Sequence, residues 1–484
     1  MTAQLFIDGS WQPASCASRL PVFNPSNGEQ IASVACASAA DVELAVQAAR
    51  RAFPAWSQRP ASERAEYLRA FAAEIEARSP ALIALQMRNS GKPRHEAELD
   101  ISDAIATFAY YAELADGLDA RQNAAVGLPD NSYQAFTRLE PLGVVGLIVP
   151  WNFPLVTSAW KLAPALASGC CVLLKPSELT PLIELQLGEI AAAIGLPAGV
   201  FNLLPGDATT GAALVNHPQI AKLSFTGSNA VGRKVMQTAS ARTMPVALEL
   251  GGKSPILVFA DCDLDQAVQW IIAGICWNAG QMCSATSRLL VEDSIADALL
   301  DRLASAMAAL KVSDPHSEGC EMGPMTSQAQ LHKVREYFAI AEQEGLHCLG
   351  GAQQLPGPGW FVAPTLYADV PQDSRLWREE IFGPVLCSRR FSDEADALRQ
   401  ANDCDFALAA SVVSAERQRA LRVAAALEAG HVWINSAQVI YPHTSWGGGK
   451  ASGIGRELGP WGLSAFQQVK HITVPGADSY IATT

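Results

Sequence analysis

Two chemically reactive side chains lie in glycine-rich segments of the chain. Cys283 is in the segment GQMCSATS, and Glu249 is in the upstream segment LELGGKSP. A thiolate can attack a carbonyl carbon to form a covalent intermediate, and a carboxylate can then activate the water that releases the acid. Each residue alone has a plainer interpretation, because a lone cysteine is commonly a small buried apolar residue and a lone glutamate a solvated surface charge. Together, in these two segments, they favour covalent acyl chemistry.

Seven segments resemble, in wording and in order, the signature motifs of the aldehyde dehydrogenase superfamily. They are WNFP, KPSE, FTGS, LELGGKSP, GQMCSATSRLL, EEIFGP and WGGGK, which begin at residues 151, 175, 225, 248, 280, 379 and 446. The resemblance runs from about Leu5 to about Val474 and looks closest in wording to the betaine-aldehyde and aminoaldehyde dehydrogenases. It implies an enzyme that oxidises an aldehyde with a nicotinamide cofactor.

Length and composition indicate a large globular protein with several domains. A chain of 484 residues is too long for one hydrophobic core, and 49% hydrophobic with 17% charged residues is typical of soluble proteins. The net charge of −13 argues against a nucleic-acid partner, because phosphates recruit basic surfaces. No apolar run reaches the roughly 18 residues that span a bilayer, so we expect no membrane segment.

The cysteines and the N-terminal segment predict reduced thiols in the cytoplasm. The 11 cysteines are odd in number and include no Cys-x-x-Cys pair, and the segment MTAQLFIDG has no basic region followed by an apolar run. These features favour free thiols over the disulfide framework of a secreted protein. The histidines and cysteines do not cluster at zinc spacing, so we expect no catalytic metal.

Hydrophobic periodicity predicts an α/β fold. Apolar residues at three- and four-residue spacing, and capping signals that include Thr180, predict helices at 41–53, 63–78, 154–168, 180–193, 263–277 and 295–310. Short apolar runs predict buried strands at 142–149, 170–174, 256–259 and 289–291. Strands that alternate with helices indicate parallel sheets with crossover helices.

We expect two parallel-sheet α/β domains, a Rossmann-like cofactor domain and a catalytic domain, which meet near Gly251 and Gly252. Two further strand-like segments lie near 120–140 and at 466–474, outside both series. The resemblance implies that such segments form a small β oligomerisation domain, and therefore a homodimer or homotetramer. The expected division is 1–121 and 142–251 for the NAD-binding domain, 252–451 for the catalytic domain, and 122–141 and 452–484 for the oligomerisation segments.

The cofactor site is expected at a strand-to-helix turn, because the first strand is not followed by Gly-x-Gly-x-x-Gly. Gly227 and Ser228 would open a helix whose free N–H groups face a pyrophosphate, and an ordinary tight turn is the alternative. Lys175 and Glu178 follow a buried strand, where they can bind ribose hydroxyls. In the family the equivalent glutamate tends to exclude a 2′-phosphate by charge repulsion, so we expect NAD rather than NADP.

The resemblance implies further cofactor contacts. It places Glu380 at the nicotinamide ribose and Phe382 near the nicotinamide ring. The loop from Gly206 to Gly211 is also expected at the cofactor, although it is shorter than the common family form and lacks a middle glycine. The remaining expected cofactor residues are Ile148, Pro150, Trp151, Phe225, Val231 and Leu250.

The resemblance also implies an order of events. Cys283 attacks the aldehyde, while the Asn152 side-chain amide and the Cys283 backbone N–H hold the oxyanion. After hydride transfer to NAD, Glu249 takes a proton from the water that hydrolyses the thioester, which favours a free acid over acyl transfer to coenzyme A. Asn152 alone would be an ordinary turn residue, but it follows a buried strand, where α/β sheets place ligand sites.

Several residues match substrate-tunnel positions of betaine-aldehyde and aminoaldehyde dehydrogenases. They are Phe153, Trp160, Trp277, Trp446, Asp100 and Asp103. Aromatic faces can bind an ammonium group, and acidic residues at a tunnel mouth would attract a cation; core aromatics and a solvated acidic helix face are the alternatives. Phe153 stands where a tyrosine is usual, and His431 replaces a small or aliphatic residue, so either change can alter the pocket or admit a neutral aldehyde.

Three functions follow from these observations. The first is NAD-dependent oxidation of betaine aldehyde or an ω-aminoaldehyde, and the second is the same chemistry on neutral aliphatic or aromatic aldehydes. The third is a non-catalytic structural or binding protein on the same scaffold. The third is disfavoured because Cys283 and Glu249 occur together with Asn152, Lys175 and Glu380.

Overall fold

The computed structural model describes residues 2–476. Residue 1 and residues 477–484, which end the predicted segment 452–484, lie outside this range. The helices are α1 Ala39–Ser57, α2 Ala61–Ala77, α3 Ser79–Ser90, α4 Arg94–Asp116, α5 Pro154–Ser168, α6 Leu182–Ala193, α7 Ala208–Asn216, α8 Asn229–Ser240, α9 Leu264–Cys276, α10 Ala296–Ala309, α11 Gln328–Gln343, α12 Arg375–Arg378, α13 Glu394–Asn402, α14 Arg417–Ala426 and α15 Gly459–Ser464. Short 3-10 helices lie at Asp119–Arg121, Trp277–Gly280 and Asp293–Ile295.

The strands belong to two large and three small sheets of the described chain. They are β1 Thr2–Ala3, β2 Leu5–Ile7, β3 Ser10–Gln12, β4 Arg19–Phe23, β5 Gln30–Ala35, β6 Ala124–Val126, β7 Tyr133–Pro141, β8 Val144–Ile148, β9 Cys171–Lys175, β10 Phe201–Leu203, β11 Lys222–Thr226, β12 Val246–Glu249, β13 Pro255–Val258, β14 Arg288–Glu292, β15 His347–Gly350, β16 Thr365–Ala368, β17 Val385–Phe391, β18 Phe406–Ala407, β19 Ala409–Val413, β20 His431–Ile434, β21 Gly449–Lys450, β22 Gly453–Ile454 and β23 Gln467–Pro475.

The first large sheet is parallel at its centre. Its order is β22-β12-β11-β8-β9-β10-β2-β3, and the strands from β12 to β10 pair in parallel. Every residue of β8 and β9 is buried, as expected for strands covered on both faces. Thr226 pairs with Glu249 in this register, so the carboxyl ends of neighbouring strands meet at one edge. Ligand sites of α/β sheets form at that edge.

The second large sheet has the order β15-β16-β17-β14-β13-β19-β20 and is parallel except for the pair β15–β16. Each large sheet has its own buried apolar cluster. A third, smaller cluster joins residues of α5 to residues near β19, β20 and the C-terminal glycine-rich segment. The α/β class with two parallel-containing sheets is confirmed.

A small antiparallel sheet, ordered β23-β7-β6, contains the two predicted outlying strands. Its longest pairing runs from Gln467 opposite Pro141 to Pro475 opposite Tyr133. The role of this sheet in oligomerisation and the boundaries of the three predicted units stay predictions. The segment 452–484 does differ from expectation at its start, because β22 pairs with β12 in the first large sheet. Gly453 (φ 137°) permits this approach, since an added Cβ would lie 1.9 Å from the Leu248 carbonyl oxygen.

Helix positions agree with the predictions to within a few residues, but the predicted cap at Thr180 is wrong. α6 begins at Leu182 with Pro181 at the N-cap and no capping side chain. The Thr180 hydroxyl instead donates to the Trp151 backbone carbonyl at 3.0 Å. This longer-range bond ties the start of α6 to the turn that follows β8.

All 11 cysteines are free thiols. Within residues 2–476, no helix combines the length and apolar character needed to cross a membrane. Over the same range, no three His, Cys, Asp or Glu side chains group closely enough to hold a metal ion.

Candidate active site

Cys283 lies in a turn that follows a strained piece of backbone. After α9, residues Asn278, Ala279 and Gly280 have φ values of 50°, 51° and 71°. Residues other than glycine adopt this left-handed region at a cost, so surrounding contacts must hold it. Gly280 also approaches Gly383, where an added Cβ would lie 2.2 Å from the carbonyl oxygen. A glycine at position 280, upstream of Cys283, is therefore required by backbone conformation and by space.

The Cys283 thiol faces a cavity of about 570 Å³. Burial, with smaller contributions from the carboxyl groups of Glu380 and Glu249, raises the pKa of Cys283 to about 12. The backbone N–H groups of Ser284 and Cys283 lower the pKa of the thiol and so oppose this rise. The thiolate is the nucleophilic form, so the reaction needs a nearby group that accepts the thiol proton.

Glu249 ends β12 as a buried carboxyl group without a hydrogen-bond partner in the part of the chain that the structure describes. It is 3% exposed, and both of its side-chain oxygens are unpaired. Burial raises the pKa of Glu249 well above its ordinary value, Glu457 raises it further, and Lys161 and Arg456 oppose the rise. A carboxylate with a raised pKa is a stronger general base towards a thiol or a water molecule. An added Cβ at Gly447 would lie 2.7 Å from Glu249 Oε1, so that glycine keeps the space open.

Asn152 connects the turn after β8 to the Cys283 turn. Its side-chain Nδ2 donates to the Gln281 backbone carbonyl at 2.8 Å. The amide group carries two N–H donors, so the second stays available to a ligand. Asn152 and Cys283 line the same cavity, which suits the pair of oxyanion donors that the sequence predicts.

The turn at Gly227 opens a helix, as the sequence predicts. β11 leads into it, and Ser228 caps α8 by accepting the Val231 N–H at 3.4 Å. The backbone N–H groups of Asn229 and Ala230 have no acceptor in the described chain. Free N–H groups at a helix N-terminus form a site for phosphate oxygens.

A second group of predicted cofactor residues lies at the ends of β9 and β10. Lys175 Nζ donates to the Pro176 carbonyl at 2.9 Å and lies 3.7 Å from Glu178 Oε2. The Glu178 side chain is 47% exposed, so its carboxylate is accessible to a ribose. Gly206 and Gly211 flank the start of α7, and an added Cβ at Gly211 would lie 3.6 Å from Lys175 Cδ.

Glu380 and Phe382 line the cavity from the loop between α12 and β17. Glu380 Oε1 accepts the Gly252 N–H at 2.8 Å, and an added Cβ at Gly251 would lie 2.4 Å from Glu380 Oε2. The glycine pair therefore lets the carboxylate rest on the backbone between the two sheets. The Phe382 and Trp151 rings meet edge to face at 5.3 Å.

The cavity brings most of the predicted site residues together. Those that line it are Asp100, Asp103, Pro150, Trp151, Asn152, Phe153, Trp160, Gly227, Ser228, Glu249, Leu250, Trp277, Cys283, Glu380, Phe382 and Trp446. The others lie outside its lining and are Ile148, Lys175, Glu178, Gly206, Gly211, Phe225 and Val231. Ile148 and Phe225 are buried strand residues beneath it, and Val231 is exposed on α8.

Aromatic rings form much of the predicted tunnel. The centroids of Trp160 and Trp446 lie 5.7 Å apart, and His431 lies 5.6 Å from Trp446. Trp160 Nε1 donates to Asp103 Oδ2 at 3.1 Å. Trp277 meets the ring of His95 edge to face. An indole face and a carboxylate thus lie side by side in the cavity, a combination suited to an ammonium group.

The structure corrects the predicted acidic tunnel mouth at Asp100. Asp100 is 5% exposed and forms an ion pair with Lys92, so it is neither a mouth residue nor part of a solvated acidic face. Lys92 Nζ also lies 3.5 Å from the Phe153 ring centroid, so a cation of the protein itself occupies that aromatic face. Asp103 has no ion pair within residues 2–476, and burial together with Asp100 raises the pKa of Asp103 to about 7.

The sequence did not indicate several polar residues of the cavity, including Gln330, Lys333 and Gln438. Gln330 and Lys333 reach it from α11, and Gln438 accepts a hydrogen bond from the Ser284 hydroxyl at 2.6 Å. Gln438 Nε2 also donates to the Ser284 carbonyl at 3.1 Å. The three-residue spacing of Gln330 and Lys333 indicates one helix face, but a solvated face has the same spacing.

A further missed feature is a buried ion pair between Lys161 and Glu457. Ser224 Oγ donates to Glu457 Oε1 at 3.0 Å. Glu457 lines the cavity and raises the pKa of Glu249. In the sequence, the ion pair was indicated only by the presence of a charged residue, Glu457, in the glycine-rich segment after Trp446.

Similarity to known proteins extends over nearly the whole chain. The model of the aldehyde dehydrogenase family matches residues 11–472. The chain belongs to the aldehyde dehydrogenase family. It is 46% identical over 478 residues to the chloroplastic betaine aldehyde dehydrogenase of Beta vulgaris, covering 97% of this chain and 96% of that protein. It is also 46% identical over 478 residues to the peroxisomal aminoaldehyde dehydrogenase 2 of Malus domestica, covering 97% and 95%.

The fold agrees with that of a solved relative. The crystal structure of betaine aldehyde dehydrogenase from Staphylococcus aureus in complex with NAD+ is 36% identical, with a TM-score of 0.95 and coverage of 98% of this chain and 95% of that chain. The predicted enzyme class is confirmed, and the NAD+ bound by this relative agrees with the predicted cofactor. The predicted cytoplasmic location is contradicted, because the relatives from Beta vulgaris and Malus domestica are chloroplastic and peroxisomal.

Proposed function

We propose that this aldehyde dehydrogenase oxidises betaine aldehyde or an ω-aminoaldehyde to the carboxylic acid, with Cys283 as the nucleophile. The observation that carries the proposal is one shared cavity. Cys283, Glu249 and Asn152 line it together with Trp160 and Asp103. A reacting carbonyl and an attached ammonium group would therefore find suitable partners in a single space.

The cofactor-facing residues fit NAD. Asn229 and Ala230 offer unpaired N–H groups at the start of α8, which suit phosphate oxygens. Glu178 is accessible beside Lys175, and its charge would repel a 2′-phosphate. When bound, NAD accepts the hydride that leaves the substrate carbon.

Cys283 forms the bond to the substrate. Its sulfur attacks the aldehyde carbon, its proton passes to a base, and negative charge develops on the carbonyl oxygen. The free Asn152 N–H and the Cys283 N–H donate to that oxygen. Loss of hydride from the carbon leaves a thioester on Cys283.

Glu249 completes the reaction. Its unpaired carboxylate takes a proton from a water molecule, whose oxygen bonds to the thioester carbon. The carbon–sulfur bond then breaks, which releases the carboxylic acid and returns the Cys283 thiolate. The raised pKa of Glu249 strengthens it as the base in this step.

The tunnel supports an ammonium group on the substrate. Asp103 has no ion pair in the described chain and accepts from Trp160 Nε1. A substrate cation at this position would gain a charge partner and an aromatic face. A betaine aldehyde dehydrogenase and an aminoaldehyde dehydrogenase are also among the relatives that this chain resembles.

Neutral aldehydes are the second candidate substrates, and Lys92 is the observation that favours them. Its ammonium group lies 3.5 Å from the Phe153 ring centroid. A substrate cation at that face would meet a like charge and lose the cation–π contact. The cationic proposal therefore depends on Asp103 and Trp160 rather than on Phe153.

NADH formation with a panel of aldehydes tests the proposal. We expect kcat/KM for aminobutyraldehyde and betaine aldehyde to exceed that for hexanal by about tenfold or more, which corresponds to ~1.4 kcal/mol. An equal or higher value for hexanal would support the neutral class.

Cys283→Ala should abolish NADH formation while NAD binding, followed by titration, is retained. Turnover by Cys283→Ala would contradict the proposed nucleophile.

A further inference from the structure

A buried acid outside the cavity holds the strained backbone that precedes Cys283. Glu96, in the first turn of α4, is 1% exposed and does not line the cavity. Both of its carboxyl oxygens lie 3.0 Å from the Asn278 backbone nitrogen, whose N–H they accept. Asn278 is the first residue of the left-handed run, with φ 50°.

The Asn278 side chain extends this contact to the predicted oxyanion donors. Its Nδ2 donates to the Asn152 backbone carbonyl at 3.0 Å and to the Gln281 carbonyl at 3.2 Å. Asn152 Nδ2 donates to the same Gln281 carbonyl. A continuous set of hydrogen bonds therefore runs from Glu96 to Asn152 and to the turn that carries Cys283.

Gln281 closes the turn from the other side. Its Nε2 donates to the Asn278 carbonyl at 2.8 Å, and its Oε1 accepts the Thr326 N–H at 2.9 Å. Gln281 thus binds Asn278 from within the turn, whereas Glu96 accepts the Asn278 N–H from α4. Asparagine tolerates the left-handed region but Ala279 does so only at a cost, so an acceptor on the Asn278 N–H helps to keep the run in place.

We propose that Glu96 is a positioning residue for the oxyanion site. Its carboxyl group anchors the Asn278 N–H, and this anchor keeps the Cys283 N–H and the Asn152 amide in register with each other. The inference rests on the proposed function, since it assumes that attack by Cys283 creates the oxyanion. Preorganised donors stabilise charge only when their positions are held before the reaction.

Kinetics of Glu96→Ala and Glu96→Gln test this role, with Glu98→Gln as the matched control. Glu98 lies on the same helix with a side chain that is 51% exposed. We expect Glu96→Ala to lower kcat by about tenfold or more while KM for NAD changes by less than about twofold. Glu96→Gln should lose less, because one oxygen still accepts the N–H, and Glu98→Gln should match the wild type. A loss confined to KM for the aldehyde would overturn the proposal.

Two further measurements separate positioning from general destabilisation. Hydrogen exchange in a peptide that spans residues 277–282 should accelerate in Glu96→Ala but not in Glu98→Gln. In a double-mutant cycle, adding Glu96→Ala to Asn152→Ala should cost less kcat than adding it to the wild type, because both residues act on one oxyanion site. Independent, multiplying losses would overturn the inference. If Glu96→Ala does not fold, the nearly isosteric Glu96→Gln replaces it in the double-mutant cycle with Asn152→Ala.

The outcome for Cys283 distinguishes this inference from the proposed function. An inactive Cys283→Ala together with wild-type kcat in Glu96→Ala would remove only the positioning role. Turnover by Cys283→Ala would remove the proposed function, and the role of Glu96 would fall with it.

Discussion

Two buried carboxyl groups line the same cavity in opposite surroundings. Glu249 is 3% exposed, and neither of its oxygens accepts a hydrogen bond within the described chain. Asp100 is 5% exposed, pairs with Lys92 and accepts a hydrogen bond from Gln86. Burial raises the pKa of both groups, but only at Asp100 do hydrogen bonds to neighbours counteract the rise.

The difference separates an acid that is suited to a reaction from an acid that serves the fold. An unpaired buried carboxyl group can change its protonation during a reaction, whereas a paired one keeps its charge as part of the fold. In the region around Cys283, both Glu249 oxygens and one Asn152 N–H stay free, whereas in the region around Phe153 the charges of Lys92 and Asp100 pair with each other. Asp103 is the exception in the second region, because it has no cation of its own in the described chain.

The largest expected effect is on the unpaired acid. Glu249→Gln should lower kcat by about 10²–10⁴-fold, because glutamine cannot take a proton from water. Steady-state NADH formation measures the loss, and rapid mixing shows whether the first turnover survives. A surviving burst would limit Glu249 to thioester hydrolysis, and a lost burst would extend its role to the thiol. A decrease of less than about tenfold would contradict the general-base assignment.

The paired acid should affect stability instead. Lys92→Met leaves Asp100 buried without its partner, which should lower the free energy of unfolding by about 3–5 kcal/mol. Denaturant unfolding measures this change. The double variant Lys92→Met, Asp100→Asn is the control, since the amide can still accept from Gln86 without a charge. If the double variant were as unstable as Lys92→Met, the unpaired charge would not be the cause.

Asp103 should affect substrate choice. Asp103→Asn should reduce kcat/KM for cationic aldehydes by about tenfold, ~1.4 kcal/mol, and leave neutral aldehydes unchanged. Because the raised pKa of Asp103 is about 7, its negative charge develops as pH rises through that value. The wild-type preference for cationic over neutral aldehydes should therefore increase with pH, and it should be flat in Asp103→Asn. Glu113→Gln, an exposed acid on α4, is the control, and an unchanged pH dependence in Asp103→Asn would refute the assignment.

The smallest expected effect concerns His431. Its ring lies 4.9 Å from Trp433, and burial lowers its pKa below 6.5. The unfolded chain then binds this proton more readily, so stability is lost as pH falls through 6.5 towards the folded-state pKa. His431→Phe lacks this contribution, so the wild type should lose more stability than the variant on acidification, by no more than about 1 kcal/mol. Parallel melting curves above and below pH 6.5 would show it, and an equal loss in both proteins would refute it.

Features that depend on neighbours along the chain were predictable. Position 280 requires a glycine because its backbone has φ 71° and lies against Gly383. The sequence shows this requirement directly, as a glycine in the motif that contains Cys283. α5 spans Pro154–Ser168 as predicted, since its apolar residues and its N-terminal proline are local signals. The family, the α/β class and the expectation of NAD as cofactor also followed from the motifs.

Features that depend on distant partners were not predictable. The sequence showed Asp100 and Asp103 on one helix face, but it gave no sign that Lys92 neutralises the first and leaves the second unpaired. Gln438 reaches Ser284 across 154 positions, and Glu96 reaches Asn278 across 182. No local pattern marks such partners.

The sequence by itself determined the family and the alternation of strands and helices, and it indicated the candidate reactive groups, because motifs and short-range periodicity depend on residues that are close along the chain. Only the tertiary structure decided which buried charges are paired, which donors stay free and which helix supports the Cys283 turn. Those outcomes depend on how the two large sheets and α4 pack together, and packing joins residues that are far apart in the chain.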